Sequence, residues 1–128
     1  MKLPYEFCCL LNIQLSAKRS KSNTNVVKVL DFCERRSSYV LIMERLAHGV
    51  DLLDFLNEQS KNLSEQVARN IFKQVINAAE VCLRNGIFHR DFKDENLIID
   101  RYTHEIRLID FGCAVDVSVS TLSPSKVS

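Results

Sequence analysis

The chain has 128 residues, of which 46% are hydrophobic, so it can bury one modest core and requires no second domain. Its 17 basic and 16 acidic residues nearly balance, which argues against a dedicated nucleic-acid-binding protein. No apolar segment is long enough to span a membrane, and polar residues interrupt the apolar start of the chain, which argues against a signal peptide.

The cysteines are scattered and odd in number. They form no CxxC pair, and none lies near a histidine at zinc-ligand spacing: Cys8, Cys9, Cys33, Cys82 and Cys113. This pattern indicates reduced thiols in an intracellular protein. We therefore expect a cytoplasmic location, with the nucleus as a second compartment.

The first quarter of the chain predicts one helix and two strands. Pro4 is suited to the first turn of a helix running to about Leu15. Its candidates for burial are Phe7, Cys8, Leu10 and Leu11. A polar loop follows over residues 16–25. "VVKVLDF" and "SYVLIMER" are then rich in β-branched and aromatic residues, and they predict an antiparallel pair of strands joined through "CERRS".

The middle of the chain predicts a short helix beginning near Asp51 and then a long one. The long helix has Ser64 as N-cap and Gly86 as its C-terminal stop. The residues at helical spacing predict a buried stripe of Val67, Ile71, Val75, Ala79 and Cys82 or Leu83. "GIFH", "NLIID" and "EIRLID" predict short strands, the last two forming a hairpin across "RYTH". The expected class is α+β.

Two short motifs carry the chemical signal. His89, Arg90, Asp91 and Asn96 lie in "HRDFKDEN" and fit H-R-D-x-x-x-x-N, and "IDFGC" contains D-F-G at residues 110–112. Each residue alone has an ordinary structural explanation in a turn or a core. Their order and separation after a long helix do not, and on these motifs the chain resembles the eukaryotic protein kinases.

The resemblance implies a site for phosphoryl transfer from ATP. Asp91 would accept the proton of the substrate hydroxyl, and Lys93 would contact the γ-phosphate. Asn96 and Asp110 would hold Mg²⁺, a hard cation that prefers oxygen ligands. His89 and Phe111 would pack beneath the site.

A finer resemblance, to the Pim family of serine/threonine kinases, rests on "FHRDFKDENLIID", "IRLIDFGC" and "SYVLIMERLAHGVDLLDFL". It implies that Met43 is the gatekeeper, that Glu44, Arg45 and Leu46 form the hinge beside the adenine, and that Ile98 is the floor of the adenine site. Pim kinases have proline where this chain has Leu46 and a second where it has His48, which puts the geometry of the hinge in question.

The family also suggests the type of substrate. Pim kinases favour basic substrates, and Asp51, Asp54 and Glu95 stand where acidic residues would meet substrate arginines. A solvated helix start explains Asp51 and Asp54 almost as well. We expect protein substrates rich in arginine around the target serine or threonine, no nucleic-acid or membrane partner, and a monomer.

Parts of the kinase pattern are missing. Gly49, Gly86 and Gly112 are the only glycines, so the chain contains no G-x-G-x-x-G loop. Lys28 in "NVVK" imitates the lysine of V-A-I-K, but it follows the helix of Glu6 instead of preceding it, so a solvent-facing strand residue is the better interpretation. Glu6 would be the glutamate that normally pairs with that lysine, and its cation would be absent.

We therefore expect a partial kinase domain over residues 1–117 and a disordered tail over residues 118–128. The partial domain would comprise the end of the N-lobe with helix C and strands, the hinge, and the first half of the helical C-lobe. A truncated or mis-spliced product, or an incomplete gene model, would account for it.

Two functions remain open. The first is a serine/threonine protein kinase that transfers the ATP γ-phosphate to protein hydroxyls. The second is a catalytically inactive kinase fragment that acts only as a protein-binding module through uncovered apolar surfaces.

Overall fold

The computed structural model describes residues 4–20 and 23–116. Within these residues the chain forms three helices and three small antiparallel sheets, so the mixed α+β class is confirmed. The tail predicted to be disordered, residues 118–128, lies outside the described residues.

Helix α1 (Tyr5–Ser20) begins directly after Pro4, as predicted, but continues well beyond Leu15. Lys18 and Arg19 occupy its last turn. Both residue types favour helix, and their positive charges interact favourably with the negative end of the helix dipole. The predicted loop after Leu15 was therefore wrong over the residues up to Ser20.

The buried face of α1 differs from the predicted one by a small rotation. Of the predicted residues only Leu10 is fully buried, while Cys9 and Ile13 complete the buried face. Phe7, Cys8 and Leu11 are half-buried. Apolar residues surround more than half of this helix, so spacing alone did not select the face that meets the core.

Strands β1 (Val29–Glu34) and β2 (Tyr39–Met43) form the predicted antiparallel hairpin, whose side chains are mostly exposed. The valines predicted at the start of the first strand do not join it. Instead Val26 forms a parallel bridge with Leu108, and the Val27 N–H donates to the Leu108 carbonyl at 3.1 Å. The first predicted strand is thus split between two partners.

A short strand, β3 (Gly49–Asp51), leads into helix α2 (Leu52–Glu58). The strand was not predicted, whereas the helix starts where expected. The Asp51 carboxylate accepts a hydrogen bond from the Asp54 N–H at 2.8 Å and so caps α2.

Helix α3 (Glu65–Arg84) is the longest helix of the described residues, with the predicted cap at each end. The Ser64 hydroxyl accepts from the Val67 N–H at 3.2 Å. Gly86 has φ of 71°, a left-handed conformation that glycine adopts without strain and that ends the helix.

The predicted stripe of α3 was only partly right. Its fully buried residues are Ile71, Ala78, Val81 and Cys82. Val67 and Val75 pack at the edge of the core and Ala79 is half-buried, while Leu83 is 58% exposed. Other apolar residues of α3, such as Phe72, also point away from the core, so the periodicity allowed more than one stripe.

The remaining strands are β4 (Ile87–Phe88), β5 (Leu97–Asp100), β6 (Ile106–Leu108) and β7 (Val115–Asp116). β5 is central in a sheet of order β3–β5–β6, which includes the predicted hairpin, and β4 pairs with β7. At the hairpin turn, the Asp100 carboxylate accepts hydrogen bonds from the Thr103 and Tyr102 N–H groups. These hydrogen bonds lower the pKa of Asp100.

A buried amide network joins the segment after α1 to α3. The Asn25 Nδ2 donates to Gln74 Oε1 at 2.9 Å and to the Ile106 carbonyl at 3.0 Å, and Asn25 Oδ1 accepts from Asn77 Nδ2 at 2.9 Å. Asn25 is 3% exposed and has φ of 54°. The network therefore fixes the chain where it enters β1 against both α3 and β6.

The core lies between α1, α3 and the β5–β6 hairpin. Its most deeply buried apolar side chains are Leu10, Ile13, Ile99, Ile106, Leu108 and Phe111. None of the helices in the described part of the chain is long and apolar enough to cross a membrane.

The five cysteines differ in exposure and acidity. Cys9 and Cys82 are buried, whereas Cys33 and Cys113 are exposed. Burial raises the pKa of Cys82 to about 12. Because its ordinary value is 9.0, its contribution to the free energy of unfolding is fully present below pH 9 and is lost as the pH rises towards 12.

Alkylation should separate these thiols. At pH 8 iodoacetamide should modify Cys33 and Cys113 at least tenfold faster than Cys82, because burial disfavours the reactive thiolate. Peptide mass spectrometry of the native chain gives the rates, and the denatured chain is the control, in which the rates should converge. Equal rates in the native chain would show that Cys82 is not in the core.

Replacing Asn25 should test the amide network. Asn25→Gly keeps the left-handed conformation but removes the hydrogen bonds, so the free energy of unfolding should fall by about 1–3 kcal/mol. Asn25→Ala adds backbone strain and should lose about 1 kcal/mol more. Denaturant unfolding measures both, with the exposed Asn70→Ala as a near-neutral control. A stable Asn25→Gly variant would contradict the network's importance.

Candidate active site

The loop between β4 and β5 carries three of the predicted site residues. Asn96 ends a 3₁₀ turn (Asp94–Asn96), and its Nδ2 donates to Asp91 Oδ2 at 2.8 Å and to the Asp91 carbonyl at 3.0 Å. Lys93 Nζ lies 3.6 Å from Asp91 Oδ1. The structure therefore places the side chains of Lys93 and Asn96 around the Asp91 carboxylate.

The buried ring of His89 is hydrogen-bonded to this loop. Its Nδ1 accepts from the Asp91 N–H at 3.1 Å, so the ring proton is on Nε2, which donates to the Ile109 carbonyl at 2.9 Å. The ring is 1% exposed and packs edge-on against Phe111 and Phe92, with centroids 4.7 and 5.2 Å away. His89 and Phe111 are packing residues beneath the site, as predicted.

Asp110 lies two residues after the end of β6. The preceding residue, Ile109, donates its N–H to the Asn96 carbonyl at 2.9 Å, so the Asp110 segment runs directly beside the loop. The Asp110 side chain is exposed, and its Oδ1 accepts from the Gly112 N–H at 3.2 Å. The four residues predicted to act together thus belong to two adjoining segments.

Two of the four described non-glycine residues with positive φ lie in these two segments. Arg90 and Asp110 have φ of 66° and 58°, a region that non-glycine residues seldom adopt. Arg90 is stabilised there because its Nε donates to the Cys113 carbonyl at 2.7 Å. Such strained residues are more frequent at functional sites than elsewhere.

Glu6 contacts the same region from α1. Its Oε1 accepts from the Phe111 N–H at 3.2 Å, between residues far apart in sequence. Among the described residues Glu6 forms no ion pair. The helix is therefore connected to the D-F-G segment through a hydrogen bond to the backbone.

The predicted hinge borders a separate cavity of about 220 Å³. Three of the predicted nucleotide-binding residues line it: Glu44, Leu46 and Ile98. Met43 ends β2 and is 39% exposed, and neither it nor Glu6 lines this cavity. The predicted nucleotide-binding residues therefore lie in three places. Glu44, Leu46 and Ile98 line the cavity, Met43 ends β2, and Glu6 contacts the Phe111 backbone.

The hinge cavity fits a flat ring better than a whole nucleotide, because ligand pockets usually measure about 300–1,000 Å³. The Leu46 carbonyl accepts from the Gly49 N–H at 3.2 Å. Within the described residues the Leu46 N–H forms no hydrogen bond and remains available to a ring nitrogen.

Arg107 borders this cavity and was missed by the sequence analysis. Its Nε lies 3.1 Å from Glu44 Oε1, and the same carboxylate oxygen accepts from the Lys28 N–H at 3.1 Å. The Lys28 side chain is exposed, as predicted. In the sequence, the charge of Arg107 between the apolar residues Ile106 and Leu108 was the signal that could have identified it.

The acidic residues predicted to meet substrate arginines have different surroundings. Asp51 is used as the helix cap, which is the alternative explanation given above, whereas Asp54 and Glu95 are exposed. The exposed pair remains available to a charged partner.

The oxygen atoms near Asp91 fit magnesium chemistry in part. Among the described residues no group of three or more His, Cys, Asp or Glu side chains could hold a metal ion by itself. Mg²⁺ commonly binds one or two carboxylates together with substrate phosphates. The Asp110 carboxylate and the Asn96 Oδ1 suit that mode, because Asn96 uses its Nδ2 for Asp91.

Removing the Glu6 carboxylate should loosen the D-F-G segment. A hydrogen bond to a charged group contributes about 1.5–3 kcal/mol, so hydrogen exchange of the Phe111 amide should accelerate about tenfold or more in Glu6→Ala. Glu6→Gln keeps an acceptor oxygen and should retain most of the protection. Exposed Glu95→Ala is the control, and unchanged exchange in Glu6→Ala would contradict the contact.

Comparison with known proteins gives the family. A protein kinase domain model matches residues 11–127. Serine/threonine-protein kinase prk-2 of Caenorhabditis elegans is 38% identical over 113 residues, covering 88% of this chain and 24% of the relative. Serine/threonine-protein kinase pim-2 of Danio rerio is 36% identical over 111 residues, or 86% of this chain and 36% of the relative.

Other kinase branches match at similar levels. The PAS domain-containing serine/threonine-protein kinase of Mus musculus is 36% identical over 81% of this chain and 7% of its own length. The chain therefore spans about a third or less of the length of these relatives. The match of the domain model over most of the chain shows that the chain belongs to the protein kinase domain family, among serine/threonine kinases.

Proposed function

We propose that this chain carries the lower half of a serine/threonine kinase active site, which transfers the γ-phosphate of ATP to protein hydroxyls. The single observation that supports this most strongly is the arrangement of Lys93 and Asn96 around the Asp91 carboxylate, beside the Asp110 segment. A carboxylate flanked by an ammonium and an amide, with a second carboxylate on the adjoining segment, suits a reaction that depends on positioning and charge.

Each residue takes a distinct part in this proposal. Asn96 holds Asp91 Oδ2 at 2.8 Å, so Oδ1 is left to accept the proton of a substrate hydroxyl. Lys93, 3.6 Å from Oδ1, would place positive charge where the transferred phosphate is most negative. Asn96 Oδ1 and Asp110 would hold Mg²⁺, which neutralises phosphate charge when bound.

The hinge cavity would hold the adenine ring between Ile98 and the backbone of residues 44–46. Leu46 is important here because, unlike proline, it has an N–H that can donate to a ring nitrogen. This supports adenine binding through the backbone, with Met43 as gatekeeper at the adjoining strand end.

We further propose that the chain is nearest in type to the Pim branch. In this correspondence α1 is helix C with Glu6 as its conserved glutamate, β1 and β2 are the last N-lobe strands, and α2 and α3 begin the C-lobe. The motif similarities quoted above support this proposal, whereas the identities are equal for pim-2 and for the PAS domain-containing kinase. Leu46 and His48, where Pim kinases have proline, would give this hinge a different inhibitor preference.

The partner and location follow as further proposals. Exposed Asp54 and Glu95 would favour protein substrates with arginine near the target serine or threonine. A cytoplasmic location, with the nucleus as a second compartment, suits the unpaired cysteines of the described residues.

A non-catalytic binding module is the second candidate, and the exposed apolar side chains favour it. Phe72 and Leu30 are each 66% exposed and Leu83 is 58% exposed. Large exposed apolar patches commonly mark surfaces that another polypeptide covers. This candidate predicts no role for Asp91 or Asp110 in any measurable activity.

The purified 128-residue chain should be a very poor kinase. It retains Asp91, Lys93, Asn96 and Asp110, but its sequence has no G-x-G-x-x-G loop to orient the triphosphate. Loss of that orientation should remove several kcal/mol of transition-state stabilisation. Transfer of radiolabelled phosphate from ATP to an arginine-rich serine peptide measures this, with Asp91→Asn and Asp110→Asn as controls.

Nucleotide binding provides a second measurement that does not need turnover. Mn²⁺ bound together with ADP should broaden the NMR signals of Asn96 and Asp110. Asp110→Asn should reduce this paramagnetic line broadening about tenfold. Exposed Asp31→Asn should leave it unchanged. In the phosphate-transfer assay, robust turnover that is abolished by both Asp91→Asn and Asp110→Asn would overturn the prediction of poor activity. Absence of any broadening at the two residues would overturn the proposed site.

A further inference from the structure

Arg107 lies beside the floor of the hinge cavity, on the same sheet. It is paired with Ile98 across the β5–β6 hairpin, so the two side chains stand next to each other on one face. Both line the hinge cavity. From the strand on the other side, Gly49 comes so close that a Cβ atom there would lie 2.9 Å from Ile98 Cγ2. The sheet therefore presents the proposed floor and a cation side by side.

The ion pair between Arg107 and Glu44 is the best shielded of those formed by described residues. The Nε of Arg107 lies 3.1 Å from Glu44 Oε1, and the two side chains are only 14% and 23% exposed. Every other residue in an ion pair of the described chain is at least 30% exposed. Removing one partner of a shielded pair is costly, because the remaining charge is left poorly solvated.

The rest of the guanidinium is also held. Its Nη1 donates to the Ile106 carbonyl at 3.0 Å, and its Nη2 lies 3.5 Å from Glu105 Oε2, whose side chain is 52% exposed. Because a guanidinium is planar, these contacts fix the direction of the Nε–H bond towards Glu44. Arg107 therefore holds the Glu44 carboxylate in one position.

Glu44 transmits this position to the backbone. Its N–H donates to the Lys28 carbonyl at 2.9 Å, and its Oε1 accepts from the Lys28 N–H at 3.1 Å. No other cation of the described residues pairs with Glu44. Without Arg107 the carboxylate would turn towards water, and its hydrogen bond to the Lys28 N–H would be lost.

The hinge beyond Glu44 has few other attachments. The Leu46 carbonyl accepts from the Gly49 N–H at 3.2 Å, and the His48 carbonyl accepts from the Arg101 N–H at 3.1 Å. Among the described residues, the Glu44 carbonyl and the Leu46 N–H form no hydrogen bond. The placement of this free acceptor and free donor therefore depends on how Glu44 is held.

We propose that Arg107 is a positioning residue of the hinge cavity, which acts through the Glu44 carboxylate to hold the hinge backbone in place for a purine ring. The inference rests on the nucleotide binding proposed above. The phosphate end of the nucleotide would meet Asn96 and Asp110, and Arg107 contacts neither. Loss of Arg107 should therefore weaken recognition of the base and spare recognition of the phosphates.

Two ligands separate these effects in calorimetric titrations of the full 128-residue chain with Mn²⁺. ADP has a base, whereas inorganic diphosphate has only the charge. Arg107→Met keeps the aliphatic stem, and it should weaken ADP binding about fivefold, as loss of one hydrogen bond does, without changing diphosphate binding. Glu105→Ala removes only the exposed partner of Arg107 and should change neither. Equal weakening of both ligands by Arg107→Met would indicate a general loss of structure and would overturn the inference.

A double-mutant cycle tests the route through Glu44. Glu44→Gln keeps an oxygen for the Lys28 N–H but has no charge that needs a cation. In that background, Arg107→Met should change ADP affinity by less than about twofold, because the interaction that it removes is already absent. A full loss in both backgrounds would show that Arg107 does not act through Glu44.

Hydrogen exchange of the ligand-free chain gives a measurement that needs no nucleotide. In Arg107→Met the Lys28 amide should exchange about tenfold faster or more, because it loses a hydrogen bond to a charged group. Glu105→Ala should leave it unchanged. Unaltered Lys28 exchange in Arg107→Met would overturn the inference. Faster exchange in a chain that binds ADP no better than diphosphate would support the role of Arg107 in holding the hinge and overturn the proposed adenine site.

Discussion

The buried imidazole of His89 is the connection on which the candidate active site depends. One ring nitrogen accepts from the Asp91 N–H, and the other donates to the Ile109 carbonyl. Both motif segments are thereby held against one rigid ring, which itself packs on Phe111. Because an unpaired buried polar group is costly, the ring can remain in the core only while both segments stay in place.

A second buried residue, Asn96, explains how accessible reactive groups can be precisely placed on a short loop. Asp91 and Lys93 gain little stability from their partly exposed ion pair at 3.6 Å, so the pair itself does not order the loop. Order comes instead from Asn96, which is buried and hydrogen-bonded to both the carboxylate and the carbonyl of Asp91. Burial of the supporting residues leaves the chemical groups accessible to a substrate.

Helix α1 is anchored to the rest of the fold near both of its ends. Glu6 near its start contacts the Phe111 backbone, and the Asn25 network fixes the chain that follows its end to α3 and β6. Between these two connections the helix packs Cys9, Leu10 and Ile13 into the core.

By itself the sequence determined the α+β class, the start of α2, the caps of α3, the two hairpins and the residues of both motifs, because these depend on local spacing and turn chemistry. Only the tertiary structure decided which faces of α1 and α3 are buried, since both helices carry apolar residues on several sides. It also decided that Val26 pairs with Leu108 and that Arg107 meets Glu44, because those contacts join residues distant along the chain.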